Sequence, residues 1–63
     1  MDNLRLAIIN HIEDLKAELE QEKIMALQSD RLGYDSLVSY HDGRGDIIRR
    51  EINTLLGLLE ETA

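Results

Sequence analysis

The chain has 63 residues with 13 acidic against 7 basic side chains, a formal net charge of −6, and no Cys, Pro, Phe or Trp. The missing thiols exclude disulfides and thiolate metal sites and give no reason to look outside a reducing compartment, and the acidic balance argues against a direct grip on a nucleic-acid backbone. A single domain this short buries only ~60% of the surface its unfolded chain exposes, so oligomerisation is the expected staple; with no apolar run of ~18 residues and no basic start ahead of one, a soluble cytoplasmic protein is expected, with no membrane contact.

The first segment reads as a helix over about 3–28. Leu4, Ile8, Ile12, Leu15 and Leu19 recur every three or four residues and so share one face of a 3.6-residue repeat. Asp2 or Asn3 can cap its start. Glu13, Asp14, Lys16, Glu18, Glu20, Glu22 and Lys23 lie between and around the apolar positions and form the wet face, with Lys16 and Lys23 three residues beyond Glu13 and Glu20 for local pairing.

After Leu19 the stripe slips, because Ile24 and Leu27 fall five and eight positions on. Ser29-Asp30 favours caps and turns, and Gly33 weakens a helix by roughly 1 kcal/mol. Two readings stand: one helix continuing to Tyr40, or a kink near 29–33 followed by a second helical stretch over about 31–41. Asp42-Gly43-Arg44-Gly45-Asp46, with two glycines in three residues, reads as the loop, and Asp46 as the cap of a final helix over about 47–60. That helix carries Ile48, Ile52, Leu55, Leu56 and Leu59 on one face and an Asp46–Arg50 pair four residues apart. Asp42-Gly43 is also a hairpin signal, which would pair residues 36–41 with 44–49 as strands, although neither side alternates well.

An all-α fold follows, a helical hairpin with a long first helix, either straight or kinked. A helix running to Tyr40 would be ~55 Å long against ~24 Å for the last one, leaving Leu4 to Leu19 uncovered. A kink near residue 30 would instead give a compact three-helix monomer; a second copy is the favoured cover, so Leu4, Ile8, Ile12, Leu15 and Leu19 are the expected self-association seam of a homodimeric, coiled-coil-like antiparallel bundle. Within the protomer, Ile48, Ile52, Leu55 and Leu59 are then expected to pack against Leu27, Leu37 and Val38.

Catalytic chemistry has little to stand on. His11 and His41 are the sole imidazoles, and Ser29, Ser36, Ser39 and Thr54 sit in no nucleophile-elbow pattern. His11 with Asp14, or His41 with Asp42 and Asp46, offers a weak metal reading. Neither has the Glu-x-x-His or calcium-loop spacing, and Gly43-x-Gly45 lacks the rest of a phosphate cradle. No cofactor or metal is expected, and the chain does not read as an enzyme. Arg44-Gly45-Asp46 spells an integrin-ligand tripeptide, but with no disulfide-tied display loop.

The charged residues carry the remaining functional reading. Glu13, Asp14, Glu18 and Glu22 form an acidic band able to meet a basic protein surface, and Arg44, Arg49 and Arg50, with Arg31, collect around the expected kink and loop as a small basic end. The expected function is a non-enzymatic interaction protein acting as regulator, inhibitor or adaptor on a protein partner. A structural component of a larger assembly, such as a phage particle, and a ligand- or metal-binding helical bundle are the alternatives.

Overall fold

In a computed structural model of the chain, which describes residues 3–61, two helices fold back on each other, α1 over Asn3–Leu32 and α2 over Asp35–Glu61. At 1.5 Å per residue they are about 45 and 40 Å long, and the hairpin measures 49 × 14 × 10 Å. There is no strand among the described residues, so the paired-strand reading of 36–41 and 44–49 fails. Asp2, one of the two candidate caps, lies outside the described residues.

The reversal occurs at Gly33, not at 42–46. Gly33 takes φ 78°, and its N–H donates to the Asp30 carbonyl at 3.0 Å while the Tyr34 N–H donates to the Ser29 carbonyl at 2.9 Å. This pair of bonds is the Schellman stop, in which a left-handed glycine lets the last carbonyls of a helix find donors. Tyr34 starts the next helix by accepting from the Leu37 and Val38 N–H groups, and Asp35 in the first turn complements the helix dipole.

The expected loop Asp42-Gly43-Arg44-Gly45-Asp46 is continuous helix in the middle of α2. The two glycines cost helix propensity, but helix formation is cooperative, and packing on both sides of them carries the segment through. Asp46 therefore caps nothing. It accepts from Arg49 Nη1 at 2.9 Å, three residues on, instead of from Arg50.

Every described residue of α1 that is not exposed belongs to one series: Arg5, Ile8, Ile12, Leu15, Leu19, Glu22, Ala26, Ser29. The matching series in α2 is Val38, His41, Gly45, Ile48, Ile52, Leu55, Leu59. Both alternate spacings of three and four without a break, which is the a/d seam of a heptad coiled coil. With a at Arg5 and at Val38, every other position in both helices can be lettered.

The centre of the seam is Ile12, Leu15, Ile48 and Ile52, with Ile8, Leu19, Leu55 and Leu59 packed around it. The stripe expected to bind a second copy is thus covered by the chain's own α2. Equal helix lengths make this possible, since moving the turn from residue 44 to residue 33 gives α2 enough length to reach the start of α1. Leu4 alone of that stripe stays outside, 67% exposed. Nor do Ile48, Ile52, Leu55 and Leu59 meet Leu27, Leu37 and Val38, because Leu27 and Leu37 point off the seam and are exposed.

Candidate functional site

Away from the apolar centre the seam turns polar. His41 Nδ1 lies 2.7 Å from Glu22 Oε1, with the two side chains only 14% and 16% exposed, and Arg44 Nε approaches the other Glu22 oxygen at 3.9 Å. Heptad spacing puts both residues at d positions, where they face each other across the hairpin. The Tyr40 ring stands edge-on to His41 at 5.1 Å. Next to this layer, Gly45 leaves room for Leu19, since a Cβ there would meet Leu19 Cδ1 at 3.4 Å.

A notch of about 230 Å³ opens beside this layer, lined by Leu19, Glu22, Lys23, His41, Asp42, Gly45, Asp46 and Arg49. On the opposite flank of the hairpin a shallower, more apolar groove of about 330 Å³ is lined by His11, Ile47, Arg50, Glu51, Thr54 and Leu55. The two flanks differ in character. The notch flank holds the e positions, with Lys16, Lys23, Asp42 and Arg49, and the groove flank holds the c and g positions of both helices.

The residues expected to bind a partner do not form one patch. Glu13 is exposed and accepts from Lys16 at 3.3 Å, the local pair its spacing suggests. Asp14 and Glu18 are exposed on the groove flank. Glu22 is drawn into the seam by His41 and is no part of a free acidic band. Arg31 stands in the last turn of α1, whereas Arg44, Arg49 and Arg50 follow one another down the middle of α2. Acidic residues are spread over both helices, six against four basic in α1 and six against three in α2. Arg44-Gly45-Asp46 is helical with Gly45 buried, so the tripeptide is not displayed.

For chemistry, Glu22 and His41 are a preorganised pair of side chains across the seam, a second part-buried polar contact between the helices being Arg5 Nη1 donating to the Leu59 carbonyl at 3.0 Å, and neither groove brings a nucleophile and donors together around the Glu22–His41 pair. Among the described residues no three His, Cys, Asp or Glu side chains are grouped as a metal site, and no helix is long and apolar enough to cross a membrane. The pair is better described as a specificity layer, a polar contact inside an apolar seam that fixes which turns of the two helices face each other. Replacing His41 with Ala should therefore destabilise the hairpin by about 1–3 kcal/mol, through an inward carboxylate left without its partner. Substituting Leu at both positions should restore most of that loss. Thermal melts of the three proteins at one concentration check it, and a His41→Ala melt equal to wild type would refute the layer.

Sequence reasoning missed this layer because it followed hydrophobicity alone. The usable signal was spacing: Leu15, Leu19, Glu22, Ala26 and Ser29 continue the three-four alternation that Ile24 and Leu27 interrupt. Compared with protein-family models, with curated proteins and with solved structures, the chain has no significant match in any of the three.

Proposed function

We propose that the chain is a non-enzymatic protein-interaction module, a helical hairpin that acts by presenting its outer faces to another polypeptide. The observation that supports this reading best is how little of its apolar surface the hairpin covers. Four hydrophobic residues are buried, while thirteen large ones stay exposed among the described residues, from Leu4 and Leu6 to Leu56 and Leu58. Scattered single apolar residues are ordinary on a protein surface, but here several recur along one helix face of α2: Leu37, Tyr40, Ile47 and Leu58. Fenced by carboxylates and arginines, such a face suits a protein partner with its own apolar ridge and polar rim. Regulator, inhibitor and adaptor are the roles this geometry serves.

The test is a photo-crosslinking amino acid placed at Ile47 on the groove flank and at Leu56 on the notch flank, in the native cell. Discrete protein adducts at either position, identified by mass spectrometry, are the expected result. The absence of any polypeptide adduct at both, with the variant folded and expressed, would overturn the reading.

A further inference from the structure

Resting on that interaction reading, we propose that the groove flank of α2 docks a second copy of this chain, antiparallel to the first, so that two hairpins close into a four-helix bundle. The c and g positions of α2 form a second unbroken three-four series beside the seam, and its central members are Leu37, Tyr40, Arg44, Ile47, Glu51, Thr54 and Leu58. In a regular heptad this stripe is turned about 100° from the a/d seam, close to the right angle between neighbouring contacts in a square bundle.

The charges on the stripe select the occupant and its direction. Its g positions read Leu37, Arg44, Glu51, Leu58. Laid antiparallel on itself about a twofold axis between Ile47 and Ile48, the series puts Leu37 opposite Leu58 and Arg44 opposite Glu51, in both directions at once. A parallel copy would set Arg44 against Arg44 and Glu51 against Glu51. Sliding the antiparallel copy by one heptad recreates one or other of those like-charge contacts. Of these, only the unshifted antiparallel arrangement pairs every g position of α2 favourably, which is the self-complementarity a twofold interface requires.

The groups concerned are available. Arg44 is 47% exposed and its contact with Glu22 is long, at 3.9 Å, while Glu51 makes no ion pair among the described residues. Ile47, on the axis, is 52% exposed. From Leu37 to Leu58 the stripe runs about 32 Å, long enough for three heptads of helix contact.

The first helix supports the same axis. Its g positions on this flank are Leu4, His11, Glu18, Met25 and Leu32, symmetric about Glu18. The hairpin's own register, with Leu19 against Gly45 and Glu22 against His41, brings Glu18 within about a turn of Ile47. Leu4 would then face the partner's Leu32 and His11 the partner's Met25, with the two Glu18 carboxylates meeting at the centre as the one unfavourable contact.

Sedimentation equilibrium of the full chain tests the proposal, with circular dichroism confirming that each variant is helical. Wild type is expected to be a dimer. Glu51→Arg should weaken it about tenfold, because two attractive contacts per dimer become repulsive, and adding Arg44→Glu in the same chain should restore it. Glu18→Gln should tighten it. A wild-type monomer at high micromolar concentration, or a charge-swapped double variant no better than Glu51→Arg alone, would overturn the proposal. A monomer that still gives crosslinked adducts with other proteins would sink the second copy while leaving the interaction reading intact.

Discussion

Leu15→Ala is expected to leave much of the chain unfolded at room temperature. Leu15 is 4% exposed and stands at the centre of a core whose other buried members, among the described residues, are Ile12, Ile48 and Ile52. Truncating a buried leucine removes the transfer energy of its methyl groups and leaves a cavity, together about 2–5 kcal/mol. A single core in a protein of this size supplies no more than about 3–5 kcal/mol in total, so the loss is comparable to the whole stability. Leu27→Ala is the matched control: Leu27 is 58% exposed and off the seam, and its truncation should change stability by less than about 0.5 kcal/mol. Circular dichroism through a denaturant titration, at one protein concentration, separates the two. Equal effects of the two substitutions would show that the seam is misplaced.

The four glycines provide the second large effect, because the same change to Ala should have opposite signs. Gly43 and Gly57 lie within α2, and a Cβ added to either meets nothing within 4 Å. Alanine there keeps the helix and lowers the entropy of the unfolded chain, for a gain of about 0.8–1 kcal/mol at each site. In a domain of this size that is about 4–8 °C of Tm per substitution. Gly45→Ala should gain less, since its Cβ comes to 3.4 Å from Leu19 Cδ1, at the near edge of ordinary contact. Gly33→Ala should lose about 1–2 kcal/mol, because φ 78° puts an L-residue in the left-handed region. A calorimetric series over the four variants checks this, and a stabilised Gly33→Ala would remove the turn from residue 33.

These glycines also show where the sequence was legible and where it was not. The series from Leu4 to Leu19 identifies a helix and the face it buries, and the structure keeps the helix and, from Ile8 to Leu19, the face. The neighbour is what changes, because the partner of a helix face is set by chain length between turns, and the turn lay elsewhere. Gly43 and Gly45 carry the stronger local loop signal, yet a helix continues through them on the packing of Val38, His41, Ile48 and Ile52. Gly33, with a single glycine and no turn-forming neighbour beyond Ser29-Asp30, makes the reversal. Local propensity and tertiary packing disagree at 42–46, and packing wins by recruiting contacts some twenty residues away in sequence.

The candidate site was less legible than the fold. Glu22 reads as one more member of a solvated acidic face until His41 is known to lie across from it, and nothing near Glu22 in sequence says so. Arg44 and Glu51 could be paired only after the turn was placed, because before that they belonged to a loop and to a different helix. His11, read first for metal or catalysis, lines an open groove with Ile47 and Thr54, where an imidazole serves as a rim group.

The distribution of residues along the seam leaves the hairpin unevenly fastened. Its large apolar layers lie away from the reversal, where Ile8, Ile12, Ile52 and Leu59 sit, whereas the layers next to the reversal hold Glu22, Ala26, Ser29, Val38 and His41. Local opening is easiest where few apolar contacts would be lost. The bend is accordingly the looser end of the described hairpin, held by the covalent link, the small side chains of Ala26 and Val38 and a few polar contacts, and the layers around Ile8, Ile12, Ile52 and Leu59 are the clasp. Motion in this hairpin should resemble a loop widening behind a closed grip, with the helices parting last at the layers of Ile12 and Ile52.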